Sequence, residues 1–338
     1  MTGTHQLVSI VVVAHNNWPE LELAIESALC QSWPHIEVIV IDNDSTDATI
    51  SEVPRMYGDR LVYIRQPNVL DGGGYNRGIA ESRGEFVQLL DGDDLLAPNK
   101  IARQMQVFAT HPDADIVYGD ARQFQGQAGK PDWSDWDTRA HPDMLAAIID
   151  PATEGAGLVI HAALFRRRAL DLVGPWDERF VGADLDYWLR AGWAGCTFVY
   201  SPGAWCFHRR RRAQMSSDGT AMYARTLRTF EKALTYIDRE PYQSAVRRRL
   251  AGLLYADAMT NLDVPAVAAR EEIDVARKLD PDRISALSYS AAIAVLAIPG
   301  ARRVMKSPVL AAPRRLIGRA LGVLDEDAER KRHGGRRV

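Results

Sequence analysis

Leu7–Asn17 reads LVSIVVVAHNN, a nearly unbroken apolar and β-branched run that stops abruptly at three polar residues. A run without polar alternation predicts a strand buried on both faces, as in a parallel sheet. The form repeats in Ile36–Asp47, IEVIVIDNDSTD, and in Glu85–Asp94, EFVQLLDGDD. Helical stretches fall between them. Pro19, well suited to a first helical turn, opens one that runs through Cys30, and Ser45–Met56 is the next. Leu61–Arg65 predicts a third strand, Tyr75–Ser82 a helix, Pro98 to before His111-Pro112 another helix, and Asp115–Tyr118 a further strand. This alternation predicts an α/β fold with right-handed crossovers and a mainly parallel, twisted sheet flanked by helices.

Gln125–Asp137, rich in Gly, Asp and Trp, reads as a loop or insertion, and a less regular region follows to His208. From Ala221 to Ile298 the sequence turns Ala/Leu/Arg-rich, with breaks near Pro241, Pro265 and Pro281. That pattern predicts a helical C-terminal extension of roughly three or four packed helices. The divisions are therefore 1–216, 217–300 and a tail at 301–338 whose Gly-Gly-Arg-Arg-Val end is expected to be disordered.

Of the 338 residues, 46% are hydrophobic and 25% charged, which excludes global disorder, collagen-like sequence and a disulfide scaffold. Cys30, Cys196 and Cys206 form no CxxC pair, so neither a zinc module nor a stapled secreted fold is expected, and a cytoplasmic location fits. The opening residues do not read as a signal peptide, and Ala286–Pro299 falls short of the ~18–20 residues that cross a bilayer. The net charge of −3 conceals an asymmetry, because residues 301–338 hold eleven Lys/Arg against four Asp/Glu. Arg302, Arg303, Lys306, Arg314, Arg315 and Arg319 are interleaved there with Val304, Met305, Leu310, Leu316 and Ile317. Such a segment suits peripheral contact with the anionic inner face of a membrane; the alternative is a helix packed on the protein with a solvated basic face. No nucleic-acid partner is expected.

In open α/β sheets, ligands bind beyond the carboxyl ends of the strands. Those ends carry Ala14-His15-Asn16-Asn17, Asp42-Asn43-Asp44-Ser45-Thr46-Asp47 and Asp91-Gly92-Asp93-Asp94. Helix capping accounts for Ser45, Thr46 and Asp47 as well as a ligand role does. It does not account for Asp91, Asp93 and Asp94, since three carboxylates in four residues repel one another and a cap needs one. Mg²⁺ or Mn²⁺, with hard oxygen ligands and places left for phosphate, fits them. A dinucleotide fingerprint is missing where HNN follows the first strand, and Gly72-Gly73-Gly74 lacks the Lys-Ser/Thr of a P-loop. No glycine-rich basic loop of the sugar-nucleotidyltransferase kind follows the first strand either.

Five segments in order resemble the family 2 glycosyltransferases of the GT-A, Rossmann-like fold, across about residues 7–216. They are VSIVVVAHNN, IEVIVIDNDSTDAT, GGGYNRGIAESRGEFVQLLDGDD, VGPWDERF with ADLDYWLRAG, and CFHRRRRAQMS. The resemblance implies a catalytic domain at 1–216 that transfers a sugar, with inversion, from a nucleoside-diphosphate sugar to an acceptor hydroxyl. UDP leads the donor bases it implies, and the acceptor is a saccharide or lipid-linked one of cell-surface polysaccharide or glycolipid synthesis. It implies that Ala14, His15, Asn16, Asp42, Asn43 and Asp44 hold base and ribose, joined by Asn76, Asp91 and Gly92. It also implies that Asp93, Asp91 and His208 hold Mg²⁺ or Mn²⁺, and that Asp184 is the general base. Asn43, Tyr75 and Ala183 stand where the family pattern has Asp, Arg and Glu. The alternatives are a non-catalytic nucleotide-sugar-binding or scaffold protein and a sugar nucleotidyltransferase.

Residue by residue, other readings stand beside these. Asp186 is expected to hold local structure and Trp188 to pack in the core. His161 is expected to make a structural hydrogen bond. Trp133 and Trp136 fit either a sugar-stacking groove or a loop anchor.

Overall fold

The computed structural model describes residues 6–125, 134–135, 139–150, 158–179, 184–210, 219–261 and 264–297. Trp133, Trp136, Ala183 and the basic tail lie outside them. The chain divides into two compact units near residue 217.

In the first unit the described strands are β1 (Val8–Ala14), β2 (Ile36–Asn43), β3 (Val62–Gln66), β4 (Phe86–Asp91), β5 (Leu95–Leu96), β6 (Ile116–Gln125), β7 (Ser134–Asp135), β8 (Ala163–Arg166) and β9 (Phe198–Arg210). The helices are α1 (Glu20–Leu29), α2 (Thr49–Tyr57), α3 (Leu70–Glu81), α4 (Lys100–Thr110), α5 (Met144–Ile149), α6 (Arg167–Val173) and α7 (Asp184–Trp193). The strands form one sheet in the order β3-β2-β1-β4-β8-β6-β9-β5, with β7 on β6. The expected parallel arrangement holds over β3-β2-β1-β4. Beyond β4 the sheet is mixed: β8 runs antiparallel to β4 and β6, while β6 and β9 are parallel.

Every residue of β1 is buried, as its unalternating composition demands. Val8, Ile10 and Val12 join the cluster of Leu21, Ile25, Ile101 and Phe108 from α1 and α4. Val11 and Val13 face α3, which begins at Leu70, earlier than the expected Tyr75. The reason is close packing. A Cβ on Gly74 would lie 2.6 Å from Val13 Cγ1, and one on Gly78 would lie 2.1 Å from Val11 Cγ1. These glycines are therefore a contact seam between helix and sheet, and tertiary packing overrides their poor helix propensity. Similarly, α2 begins at Thr49, later than Ser45, because Ser45–Asp47 bond to the turn after β1.

Ala14 pairs with Asp42 and Val13 with Asp91, so β1, β2 and β4 end level and deliver their polar turns to one edge. Behind that edge, Lys100 is fully buried and donates to Gln88 Oε1 and, at 2.7 Å, to Gln104 Oε1. Gln88 Nε2 donates to the His161 carbonyl at 3.0 Å, and Gln104 Nε2 to those of Ala162 and Val117, each at 2.8 Å. This network pins a short 3₁₀ turn at Ile160–Ala162. Burial pushes the Lys100 ammonium down to about 7.

The second unit is helical: α8 (Gly219–Ala233), α9 (Tyr242–Thr260), α10 (Ala266–Leu279) and α11 (Ala286–Ala297). Its core is built around Phe230, Val246, Leu250, Leu254 and Ile273. No helix among the described residues is long and apolar enough to cross a membrane.

Candidate active site

At the end of β2, Asp42 is fully buried and both of its oxygens are occupied. Oδ1 accepts from the Ser45 amide at 2.8 Å and Oδ2 from the Tyr63 hydroxyl at 2.6 Å. Burial, with the Asp42 carboxylate beside it, raises the Tyr63 phenol. Asn43 is equally enclosed. Its Nδ2 donates to the Leu70 carbonyl at 3.0 Å, and its Oδ1 accepts from Gln66 Nε2 at 2.7 Å. An amide serves both needs here, where the carboxylate of the family pattern would have no donor for Leu70. His15 and Asn16 are exposed, and His15 Nδ1 donates to the Asn43 carbonyl at 2.6 Å. Asn16 and Asp44 adopt positive φ, of 50° and 62°, and Asp44 Oδ1 accepts from Arg65 Nη2 at 2.8 Å.

The end of β4 is built differently. Gly92 crosses so close to β1 that a Cβ there would meet Asn17 Nδ2 at 2.4 Å and the Val13 carbonyl at 2.9 Å. Tyr75 of α3 donates its hydroxyl to Asp91 Oδ1. Asp93 is half-buried, and its carbonyl accepts from Arg209 Nε at 2.8 Å. Asp94, only 1% exposed, turns inward; Oδ1 accepts from the Arg209 amide at 2.6 Å and Oδ2 lies 3.0 Å from His208 Nδ1. Burial opposes its ionisation, yet His161, His208 and the Arg209 amide together hold the Asp94 carboxyl below its ordinary value. Burial also works to lower His208, but the bond to Asp94 and the charges of Asp94 and Asp93 outweigh it and raise the imidazole.

His161 completes the cluster from the 3₁₀ turn. Its ring stacks on His208 with centroids 5.6 Å apart and 18° between the planes. Nδ1 lies 3.3 Å from Asp94 Oδ2 and 4.0 Å from Asp91 Oδ2. Neither ring nitrogen has an aligned hydrogen-bond partner among the described residues, contrary to the structural hydrogen bond expected of it. Burial lowers His161 to about 4, so the ring is neutral at pH 7. Asp94, His161 and His208 each place a donor atom within 4.8 Å of the others.

Asp184 is the first residue of α7 and half-buried. Asp186 is fully buried and accepts from Arg190 Nε at 2.9 Å. Arg190 also donates to the carbonyls of Val173 and Pro175, tying α7 to the end of α6 and the turn beyond it. Asn76, expected among the donor contacts, has its amide engaged elsewhere. It donates to the Trp176 carbonyl at 3.0 Å and accepts from the Trp176 amide at 2.8 Å. Trp176 stacks on Tyr187 of α7, with centroids 3.5 Å apart, and packs at 5.7 Å on Tyr75. A continuous set of contacts thus runs from Asp91 through Tyr75 and Trp176 to the helix that begins with Asp184. Trp188 is buried against Phe165.

The profile of glycosyl transferase family 2 matches residues 9–174, the stretch that contains β1 to β8 and the acidic loop. This region belongs to the family 2 glycosyltransferases. Over 191 residues, 54% of the chain, the glycosyltransferase domain is 29% identical to an uncharacterized glycosyltransferase of Rickettsia typhi. The chain spans 58% of that relative's length. Among solved structures, S. aureus TarS 1-349 in complex with UDP-GlcNAc matches with a TM-score of 0.60 at 17% identity, over 88% of this chain and 87% of that one. The mannosyltransferase PcManGT of Pyrobaculum calidifontis, in complex with GDP-Man and Mn²⁺, matches with a TM-score of 0.57 at 18% identity, over 98% and 88%. At such identities the likeness establishes the GT-A-like fold.

Within that domain, sequence reading did not single out Asp94 as the hub or His161 as its partner. The 66 positions between them carry no local pattern that pairs them.

Proposed function

We propose that the domain transfers a glycosyl residue from a nucleoside-diphosphate sugar to an acceptor hydroxyl, with inversion at the anomeric carbon. The observation that carries the reading is the level edge of β1, β2 and β4, where an acidic loop and two histidines are linked by packing to the start of α7. Exposed His15, Asn16 and Asp44, with the Ala14 turn, are available to base and ribose, while buried Asp42 and Asn43 fix the wall behind them. Asp91, Gly92 and Asp93 stand at the diphosphate. Asp184 accepts the acceptor's proton as the new bond forms at the anomeric carbon and the bond to the diphosphate breaks, the diphosphate keeping the electron pair. Asp186, spent on Arg190, is unsuited to that task.

The donor set suits a divalent cation, because a buried imidazole with unaligned nitrogens adjoins the carboxylates of Asp91 and Asp94. The acidic loop with His208 would hold Mg²⁺ or Mn²⁺, which when bound offsets charge on the leaving diphosphate. UDP is the favoured base, supported by the fold shared with a protein crystallised with UDP-GlcNAc. The acceptor is a saccharide or lipid-linked one of cell-surface polysaccharide or glycolipid synthesis, reached from the cytoplasm, with the basic tail on the membrane's inner face.

Thermal shift against UDP-, GDP- and dTDP-sugars with and without Mn²⁺ identifies the donor, since a ligand of the native state raises Tm. The expected product of slow donor hydrolysis is the nucleoside diphosphate. Release of pyrophosphate from a sugar phosphate and a nucleoside triphosphate would instead make this a nucleotidyltransferase, and stabilisation without any turnover a binding protein.

A further inference from the structure

We propose that Tyr75 is a positioning residue for both halves of the reaction. Its hydroxyl sets Asp91 for the donor, and its ring holds the Trp176 turn against which α7 presents Asp184. The proposal rests on the glycosyltransferase reading and adds to it a residue that acts through Asp91 and α7. Tyr75 stands where the family pattern has Arg, so the role belongs to this chain and not to the shared motif.

The first argument is where the hydroxyl goes. Tyr75 is 2% exposed, and its polar end is spent on Asp91 Oδ1, at the start of the acidic loop. A carboxylate at the end of a strand turns about two side-chain torsions, and a fixed donor on one oxygen restrains both. The other oxygen is then kept on the side of His161, whose Nδ1 lies 4.0 Å away. The donor itself is fixed, because Gly74 and Gly78 seat α3 directly on β1. Phenylalanine at this position would keep the ring contacts with no polar group to satisfy, so packing does not account for the hydroxyl.

The second argument is how the turn at 173–178 is held from both sides. From α3, Asn76 bonds both the amide and the carbonyl of Trp176, as a neighbouring strand would, and donates to Glu178 Oε1 at 2.9 Å. From α7, Arg190 donates to the carbonyls of Val173 and Pro175. Between these grips the Trp176 indole lies flat on Tyr187, with 4° between the planes, and its other neighbour is the Tyr75 ring at 5.7 Å. Packed side chains in such a contiguous set pass a displacement from one element to the next. A shift of the Tyr75 ring therefore reaches α7, whose first residue is Asp184. A misplacement of about 1 Å at a reacting group can cost on the order of 10²-fold in rate.

The test uses the full chain with Mn²⁺ and whichever of UDP-GlcNAc, GDP-mannose and dTDP-glucose the wild type hydrolyses. Because that hydrolysis is slow, KM reads donor affinity. Tyr75→Phe, which keeps the ring, should raise donor KM roughly 3–10-fold and leave kcat within about twofold. Tyr75→Leu, which loses ring and hydroxyl, should add a fall in kcat of roughly 10–100-fold. In an Asp184→Asn background that fall should vanish, because no base is left to place. In an Asp91→Ala background the KM effect of Tyr75→Phe should vanish likewise. A residue serving stability alone would lower the thermal midpoint and the active fraction, leave KM unchanged, and lower kcat by the same factor with or without Asp184. Unchanged donor KM in Tyr75→Phe overturns the proposal, and this conservative variant decides even if Tyr75→Leu does not fold. An equal fall in kcat with and without Asp184 overturns it as well. Hydrolysis of none of these donors by the wild type removes the transferase reading and this role with it. Hydrolysis with KM and kcat unchanged in both Tyr75 variants removes this role alone.

Discussion

The carboxyl ends of β2 and β4 both follow apolar strands with acidic residues, yet their hydrogen-bond accounts differ. At β2 every side-chain polar atom of Asp42 and Asn43 has a protein partner, in the turn, on β3 or at the start of α3. At β4 the partners include other titratable groups, and His161 keeps nitrogens that no protein atom among the described residues satisfies with aligned geometry. A saturated buried network fixes the fold, while one that is left partly unsatisfied is costly and is retained where a ligand completes it. The comparison separates wall from machinery among residues that look alike in sequence.

The largest effect should fall at the start of α7, which packing links to the β4 end. Asp184→Asn should lower kcat by ~10²–10⁴-fold while leaving donor Kd within about twofold. Asp186→Asn, altering a buried partner of Arg190, should chiefly lower the thermal midpoint. Near-normal turnover in Asp184→Asn would move the chemistry away from the start of α7. At the β2 end, Asp42→Ala orphans the Ser45 amide and the Tyr63 hydroxyl. About 3 kcal/mol of stability should go, read from urea unfolding with an unchanged slope. A loss in donor affinity without a loss in stability would erase the contrast between the two ends.

Gly78→Ala sharpens the same contrast from the supporting layer. Its methyl meets Val11, so a cost of about 1–3 kcal/mol is expected. Val11→Ala should relieve part of it in the double variant, a coupling that independent sites would not show. The smallest effect lies away from both ends. Glu37 is partly buried, which raises its carboxyl, but bonds from Ser9 and Arg83 prevail and hold it below its ordinary 4.5. The stability it adds is therefore present above pH 4.5 and lost as pH falls through its lowered folded value. Glu37→Gln should be less stable at neutral pH by under about 1 kcal/mol, with the gap closing in acid.

Strands β1, β2 and β4 were legible because a strand buried on both faces leaves a continuous apolar run. Four-residue β8 is too short to leave one, and its antiparallel placement between β4 and β6 makes the sheet mixed. The early start of α3 was hidden because Gly72–Gly74 reads locally as a turn. The nearness of Val13 explains Gly74, and that of Val69 explains Gly73. β6 continues past the expected Tyr118 to Gln125 because β9 pairs with it along that length. In the site, the acidic loop was visible as a charge pattern, and Asp186 as the structural member of its pair. His161 and Asn76 were not read in their observed settings, because their partners lie far along the chain. Asn76 bonds Trp176 at a separation of 100 residues.

The seam between α3 and β1 has a consequence for how this sequence can drift. Gly74 and Gly78 keep the helix at contact distance, while Tyr75 and Asn76 hold Asp91 and the Trp176 turn. Spacing and grip alternate within one helical turn and a half, so a substitution that lifts the helix also loosens both holds. Descendants of this chain should vary freely at exposed Arg77 and Glu81, and change at Gly74 or Gly78 only together with a smaller neighbour on β1.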